Sequence, residues 1–260
     1  MASALIGGLL AKDFDAGSIS VIERVEAARD HLVQKYRVHA SATPDDATRG
    51  ADALLLAVKP QDLRAALVSL APFARGKLVI SIAAGVRLAD LSRWLAGHDR
   101  LVRSMPNTPA LIGAGIAALY APPDVRAADR ASAESVLAAV GETVWVESEA
   151  LLDPVTALSG SGPAYVFWFI EQLAQSGVAL GLAEDTARKL ALQTVLGAAQ
   201  LAARSGESPA VLRERVTSRG GTTEAALRVF DEERLAEGLR RALEAASRRG
   251  AELGEQLSRD

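Results

Sequence analysis

The stretch DALLLAVKPQDLRAALVSLAPF, residues 52–73, combines a strand pattern and a helix pattern without a break. The run DALLLAV is apolar on both faces, as a strand inside a parallel sheet must be. Pro60 restricts Lys59 to an extended backbone and suits the first position of a helix, so the strand ends and the helix begins at this point. The stretch therefore predicts a buried parallel strand followed by a helix, with Lys59 at the carboxyl edge of the sheet.

The same alternation continues on both sides of this stretch, between residues 18 and 147. Strand-like runs alternate with helical ones: ISVI (19–22), VEAARDHLVQKY (25–36), VHA (38–40), KLVISI (77–82), RLADLSRWLA (87–96), RLVRSM (100–105), DVRAADRASAESVLAAV (124–140) and ETVWVE (142–147). Strand–helix–strand units of this kind build a parallel sheet through right-handed crossovers. We therefore predict an α/β fold over residues 1–150, a Rossmann-type doubly wound parallel sheet.

The pattern changes after residue 150, where strand-like runs stop. The remaining sequence reads as helices, among them PAYVFWFIEQLAQSGVAL, AEDTARKLALQTVLGAAQLAARS and EERLAEGLRRALEAASRRGAELGEQL. Their apolar faces are broader than the core of one small domain requires. We therefore predict an all-α domain over residues 151–260 that also packs against a partner subunit.

Composition excludes several classes of function. With 29 basic and 32 acidic residues and a net charge of −3, the chain has no basic block that would attract nucleic acid or an anionic membrane. It contains no cysteine, which excludes disulfides and thiolate chemistry and fits a reducing compartment. No Lys or Arg precedes the apolar run MASALIGGLLA, so it does not read as a secretory signal. We expect a cytoplasmic protein.

The opening run, MASALIGGLLAKDFDAG, reads as a helix that begins at the first residues of the chain. In a dinucleotide-binding sheet, a strand and a glycine-rich turn come before the first helix, whose N-terminus faces the pyrophosphate. We expect such a strand and turn to precede Met1. Glu23 and Arg24 then follow the next strand, where an acid binds a ribose or an arginine binds a 2′-phosphate. Alternatively, the run is an N-terminal cap on another α/β fold.

Glycine, proline and hydroxyl residues concentrate in a few further motifs: AVKPQ (57–61), SMPNTPALIGAG (104–115), LSGSGPAY (158–165) and TSRGGTTEAAL (217–227). Each alone is also compatible with a purely structural turn or hinge. In the last motif, a Gly-Gly turn brings the backbone close to a ligand, and the N–H groups of the helix that follows can bind a carboxylate. Ser161 lies outside any G-x-S-x-G pattern, which argues against a hydrolase nucleophile.

Together, in this order and on this plan, the motifs resemble those of the pyrroline-5-carboxylate reductase family, from residue 1 to the C-terminus. The resemblance implies hydride transfer from NADPH, or from NADH, to the C=N carbon of 1-pyrroline-5-carboxylate, which gives L-proline. Neither a metal nor a covalent nucleophile is needed. It also implies an interlocked homodimer, often assembled into a decamer. Met1 and Ala2 match the end of the family's glycine-rich loop.

The resemblance assigns roles to individual positions. The residues implied to line the cofactor crevice are Met1, Ala2, Glu23, Arg24, Val58, Lys59, Pro60, Ile82, Ala83, Ala84, Met105, Pro106 and Asn107. Those implied to bind the substrate are Ser218, Gly221, Thr222, Thr223 and Glu149. The Thr223 hydroxyl is implied to be the catalytic group and to hydrogen-bond the ring nitrogen.

The chain departs from the family pattern at two places besides its start. Arg219 stands where many relatives have proline, and Pro44 and Asp45 lie where an asparagine often meets the adenine ribose. Glu23 favours NADH and Arg24 favours NADPH, and we expect NADPH. A related imine reductase or β-hydroxyacid dehydrogenase remains an alternative, although the only lysine after residue 77, Lys189, lacks the asparagine partner expected there. A non-catalytic dimeric module is another alternative.

Overall fold

The first half of the chain forms the predicted alternation of strands and helices. The computed structural model describes residues 1–259. Its strands are β1 (Ser20–Ile22), β2 (His39–Ser41), β3 (Ala53–Leu56), β4 (Leu78–Ser81), β5 (Leu101–Pro106), β6 (Gly115–Tyr120) and β7 (Gly141–Trp145). The helices of this half are α1 (Ala2–Ala11), α2 (Glu26–Tyr36), α3 (Asp46–Gly50), α4 (Pro60–Ala74), α5 (Leu88–Trp94), α6 (Ala127–Ala138) and α7 (Leu152–Val155).

The strands form a two-stranded sheet, β1–β2, and a five-stranded sheet in the order β3–β4–β5–β6–β7. All neighbouring pairs are parallel except β5 and β6, which run antiparallel. The predicted Rossmann-type doubly wound sheet is confirmed, and one of its strands, β6, runs antiparallel to its neighbour β5. Only residues 107–114 connect β5 to β6, and a parallel crossover needs about a dozen residues or more, whereas an antiparallel return does not.

Helices cover both faces of the five-stranded sheet. Val79 and Ile80 are neighbours on β4, and they point into different core clusters. Ile80 packs in a cluster that also contains Leu5 of α1 and Leu137 of α6, whereas the cluster of Val79 contains side chains of α4 and α5. Each fully buried aliphatic side chain of this kind contributes about 1.5–3 kcal/mol. This two-sided burial is what the apolar pattern of the strands predicted.

A glycine allows α1 to pack closely in this core. A Cβ at Gly8 would lie 2.5 Å from the carbonyl oxygen of Ala139 and equally close to Val140. Any larger residue at this position would push α1 away from the end of α6. The apolar opening run is therefore an interior helix of the fold, with Leu5 and Ile6 buried.

The chain divides into two compact units: residues Met1–Ser161 with the chain from Glu244 onward, and residues Gly162–Leu243. This division differs from the predicted boundary at residue 150. Leu152 is fully buried and α7 packs against β5 and β6, so the segment after residue 150 belongs to the first unit. The end of the last helix also belongs there, because Leu257 packs on the core cluster that contains Val79.

The second unit consists of helices. They are α8 (Gly162–Ala179), α9 (Glu184–Ser205), α10 (Pro209–Arg215), α11 (Thr222–Glu232) and the beginning of α12 (Leu235–Arg259). α8 packs along α9, with Ala174, Ala187 and Ala191 buried. Within residues 1–259, no helix has both the length and the hydropathy needed to cross a bilayer.

Candidate active site

Three of the predicted cofactor segments lie at one edge of the five-stranded sheet. The parallel strands β3, β4 and β5 are neighbours, so their carboxyl ends meet at this edge. The N–H of Ile82 donates to the carbonyl of Leu56 at 3.2 Å, which joins the chain leaving β4 to the end of β3. Ligands of open α/β sheets bind at such an edge. The segments are Val58–Pro60, Ile82–Ala84 and Met105–Asn107.

The segment after β3 has the geometry that its proline predicts. Lys59 is extended, with φ −60° and ψ 143°, and Pro60 is the first residue of α4. Val58 and Lys59 are exposed, so both are accessible to a ligand at the sheet edge. After β4, Ala83 is buried and its N–H donates to Ser81 Oγ at 3.3 Å, while Ile82 and Ala84 are half-buried.

The loop after β5 is fixed by its asparagine. Asn107 Oδ1 accepts from the N–H of Ile116 at 3.0 Å, and Asn107 Nδ2 donates to Ser159 Oγ at 3.3 Å. A Cβ at Gly160 would lie 2.5 Å from Met105 Cε. The SGSG motif, residues 159–162, is compatible with a hinge from its sequence, and it contacts the Met105–Asn107 loop in the structure. Met105 stays half-buried beside it.

In the turn after β1, the side chain of Glu23 has a hydrogen-bond partner, whereas that of Arg24 is free within the described residues 1–259. Glu23 Oε1 accepts from the N–H of Val25 at 2.8 Å, so this carboxylate already has a backbone partner. Arg29 Nη1 donates to the carbonyls of Glu23 and Arg24 at 2.9 and 3.2 Å. The Arg24 guanidinium is exposed and has no partner in the part of the chain that the structure describes. Arg24 is thus available to an anion.

Two of the predicted cofactor residues belong to the start of α1. Met1 precedes the helix and is exposed, and Ala2 is its first residue. The carbonyl of Met1 accepts from the N–H of Leu5 at 3.1 Å, so the helix is formed from its first turn.

Asp45, at the departure from the family pattern, has a local role. Its Oδ1 accepts from the N–H of Thr48 at 3.0 Å and caps α3, and its Oδ2 lies 2.6 Å from His39 Nε2. The hydrogen bond with His39, followed by that with Thr48, holds the pKa of Asp45 well below its usual range. Asp45 therefore joins the end of β2 to the start of α3.

The turn before α11 carries most of the predicted substrate residues. The N–H of Gly221 donates to the carbonyl of Ser218 at 3.0 Å, and a Cβ at Gly221 would lie only 2.9 Å from that backbone oxygen. Only glycine fits there without opening the turn. In the helix, the N–H of Ala225 donates to the carbonyl of Gly221 at 3.2 Å. The N–H groups of residues 222–224 precede that first bond and are left for an anion.

The hydroxyls at this turn are also available. Ser218 and Thr222 are exposed and Thr223 is half-buried, and none of the three hydroxyls has a hydrogen-bond partner within the described residues 1–259. Glu224 Oε2 accepts from the N–H of Gly220 at 2.7 Å, which holds the turn closed from the helix side. This bond stiffens the turn next to Arg219, which stands where many relatives have proline.

Glu149, in contrast, is engaged inside the first unit. Its Oε1 accepts from Arg103 Nη1 at 3.0 Å and from the N–H of Leu88 at 2.8 Å. Arg103 lies on β5 and is only 2% exposed. Burial lowers the pKa of Arg103, and the carboxylate of Glu149 opposes that shift. Nearby, Arg87 Nη2 donates to Asp153 Oδ2 at 2.6 Å.

The predicted site residues are divided between the two units of the chain. All the cofactor residues and Glu149 belong to the first unit, whereas Ser218, Gly221, Thr222 and Thr223 belong to the second. Sequence reasoning missed Arg87, Arg103 and Asp153. A charged residue inside the apolar strand run RLVRSM was a signal for Arg103, since a buried guanidinium needs a carboxylate partner.

Two protein-family models match this chain, one in its N-terminal part and one in its C-terminal part. The model described as NADP oxidoreductase coenzyme F420-dependent matches residues 1–85, and the one described as pyrroline-5-carboxylate reductase dimerisation matches residues 149–253. The first half therefore places the chain among the NADP-binding oxidoreductases with a Rossmann-type domain.

Full-length relatives define the family more narrowly. Pyrroline-5-carboxylate reductase of Pseudomonas aeruginosa is 44% identical over 99% of this chain and 94% of its own length. A pyrroline-5-carboxylate reductase structure from Coxiella burnetii has a TM-score of 0.92 and 39% identity, and it covers 97% of this chain and 94% of that one. A Plasmodium falciparum pyrroline carboxylate reductase with NADP bound has a TM-score of 0.85 and 26% identity, with the same coverages of 97% and 94%. The chain belongs to the pyrroline-5-carboxylate reductase family.

Proposed function

We propose that this chain reduces 1-pyrroline-5-carboxylate to L-proline with NADPH, the final step of proline biosynthesis. The observation that carries the proposal is the 44% identity to a pyrroline-5-carboxylate reductase over 99% of the chain. The free N–H groups at the start of α11 support it, because the small anionic substrate needs a site that binds its carboxylate. The reaction needs no metal and no covalent nucleophile.

The first unit fits a phosphorylated dinucleotide. Small residues, Ala83 and Ala84, follow β4 at the carboxyl edge and leave room for a flat ring. The Arg24 guanidinium is free, whereas the Glu23 carboxylate accepts from the N–H of Val25, so the turn favours a 2′-phosphate over a free ribose diol. The relative from Plasmodium falciparum has NADP bound. NADPH, when bound, supplies the hydride, and NADH is the weaker alternative.

The second unit supplies the substrate contacts. Backbone N–H groups of Thr222 and Thr223, with the Ser218 hydroxyl, bind the substrate carboxylate at the positive end of α11. The Thr223 hydroxyl donates a hydrogen bond to the imine nitrogen. That bond withdraws electron density from the C=N carbon and stabilises the negative charge that develops on nitrogen as hydride is added to the carbon. The nitrogen then takes up a proton from solvent, which completes the amine. Thr223 is therefore the catalytic residue of the proposal.

The assembly that we propose is a homodimer formed through the second unit, with five dimers in a decamer. Large apolar side chains cover the surface of that unit, including Phe167 and Trp168, which are 65% and 61% exposed. The match to a dimerisation model over residues 149–253 supports an oligomer. We place the protein in the cytoplasm, with neither a membrane nor a nucleic acid as partner.

The test is a direct assay of the purified chain. NADPH oxidation is followed at its nicotinamide absorbance after addition of 1-pyrroline-5-carboxylate, and the product is identified as L-proline by chiral chromatography. A six-membered cyclic imine carboxylate and an acyclic β-hydroxyacid with NADP are assayed in parallel. We expect the five-membered imine to have the highest kcat/KM. A higher value for either competitor would reject the proposed substrate.

A further inference from the structure

The Arg103–Glu149 pair lies between two of the segments that the proposed function assigns to the cofactor. Arg103 is on β5, two residues before Met105, and it pairs in register with Ser81, the last residue of β4. Leu88 begins α5, at the far end of the loop that starts with Ile82–Ala84. Glu149 Oε1 contacts both Arg103 and Leu88, at 3.0 and 2.8 Å. A single carboxylate oxygen therefore joins the loop after β4 to the strand that leads to the loop after β5.

A second ionic contact fixes the same loop. Arg87 Nη2 lies 2.6 Å from Asp153 Oδ2, four residues after Glu149. Arg103 also experiences the charges of Arg87 and Asp153, so the four side chains form one cluster of alternating charge. The residues at the end of the loop, Arg87 and Leu88, are thus both tied to the segment 149–153.

The contacts of Glu149 with Arg103 and with the N–H of Leu88 both use Oε1, and they hold the carboxylate within the first unit. Arg103 is buried, and a buried guanidinium without its carboxylate is strongly unfavourable, so the pair will not open readily to release the carboxylate. The same oxygen that neutralises Arg103 also accepts from the N–H of Leu88.

We propose that Glu149 is a positioning residue for the dinucleotide, holding Ile82–Ala84 and Met105–Asn107 at a fixed separation through Arg103 and the N–H of Leu88. The inference rests on the proposed function for the identity of the cofactor. It predicts a change in the Kd for the dinucleotide, which is measured without the imine substrate. If the separation is fixed before binding, the dinucleotide does not have to order the two segments. Loss of the bridge then weakens cofactor binding.

An ion pair at the amino end of β5 provides the control. Arg100 precedes β5 at its amino end and donates to Asp129 at 2.6 Å through Nη2, and Asp129 is buried. This pair contributes to stability at the edge of the sheet opposite to the ligand edge. Asp129→Asn therefore removes a buried charge beside the amino end of β5 without touching either cofactor segment.

The experiment measures the dissociation constant of NADPH by quenching of tryptophan fluorescence, together with Tm and the KM for 1-pyrroline-5-carboxylate. For Glu149→Ala we expect an NADPH Kd raised about tenfold, whereas Glu149→Gln, which keeps an oxygen acceptor, stays within about threefold. Asp129→Asn lowers Tm but leaves the Kd within about twofold of wild type. The double variant Arg103→Met, Glu149→Leu removes the buried charges, so we expect its Tm to recover while its Kd stays high.

The proposal is overturned by either of two results. One is a raised KM for the imine with an unchanged NADPH Kd in Glu149→Ala, which would make Glu149 a substrate ligand. The other is recovery of the NADPH Kd together with Tm in the double variant, which would reduce the pair to a stabilising contact. Because NADPH binding is measured without imine, failure of the wild-type chain to reduce the imine would count against the proposed function and leave this comparison intact.

Discussion

The two units of the chain bury their apolar residues to very different extents. In the first unit, β4 is buried along its whole length and its side chains fill core clusters on both faces of the sheet. In the second unit, the buried apolar side chains of α8 and α9 are alanines, and phenylalanine, tryptophan and leucine side chains are exposed. The sheet of the first unit therefore has its apolar side chains buried by other residues of the same unit. The second has the composition of half an interface, which another copy of the chain would complete.

The largest expected effect comes from placing a charge on the exposed apolar surface of the second unit. In Trp168→Glu, a charge replaces a large aromatic side chain, and we expect subunit association to weaken about 10³-fold, as for a central interface residue. Size-exclusion chromatography with light scattering measures the change. Val68→Glu is the control, because Val68 is even more exposed, at 71%, but lies on α4 of the first unit. Equal dissociation of both variants would remove the distinction between the units.

The next effect tests the chemistry assigned to the second unit. Thr223→Ala removes the hydroxyl that donates to the imine nitrogen, and we expect kcat/KM for the imine to fall on the order of 10²-fold. Thr223→Ser keeps a hydroxyl and should recover most of the rate. Steady-state kinetics with both variants give the answer. Full activity of Thr223→Ala would exclude the hydroxyl from the reaction.

A smaller effect tests the first unit. Arg24→Ala removes the free guanidinium after β1, and we expect the Kd for NADPH to rise about tenfold while that for NADH changes little. Arg75→Ala, another exposed arginine of the first unit, is the control. Fluorescence titration with each nucleotide measures both constants. Parallel losses for NADPH and NADH would mean that Arg24 does not select the 2′-phosphate.

The smallest effect concerns stability at acid pH. Hydrogen bonds from Arg100, then from Arg126, hold the pKa of Asp129 well below its usual range. A lowered folded-state pKa gives stability that is present above the unfolded pKa of about 4 and is lost as the pH falls further. Asp129→Asn should therefore lower the free energy of unfolding by about 2 kcal/mol at neutral pH and by less near pH 3. Urea denaturation at both pH values measures the difference, and a deficit that stays constant would contradict it.

Much of the fold could be predicted because local patterns decide it. The strand predicted at 77–82 is β4, Leu78–Ser81, and the helix predicted at 25–36 is α2, Glu26–Tyr36. The direction of β6 depends on the length of the connection after β5, so the strand pattern alone does not give it. The start of the second compact unit at Gly162 depends on the burial of Leu152, a tertiary contact that no local pattern shows.

The candidate site could be predicted only in part. Lys59 and Asn107 follow strands whose ends meet at one edge, so the strand pattern was enough to place them. Glu149 and Arg103 are 46 residues apart, and only the folded sheet brings the carboxylate to the guanidinium. Resemblance to a family indicated an acid at residue 149 but gave no information on which group it contacts.

The central claim is that the first unit binds the dinucleotide and the second binds the carboxylate of the substrate. Gly221→Ala tests it most directly, because the added Cβ would lie 2.9 Å from the backbone carbonyl oxygen of Ser218, so that the turn before α11 must shift. We would measure the KM for 1-pyrroline-5-carboxylate and the Kd for NADPH of this variant. The account predicts a KM raised at least about tenfold and a Kd unchanged within about twofold. An unchanged KM, or a Kd raised as much as the KM, would contradict it.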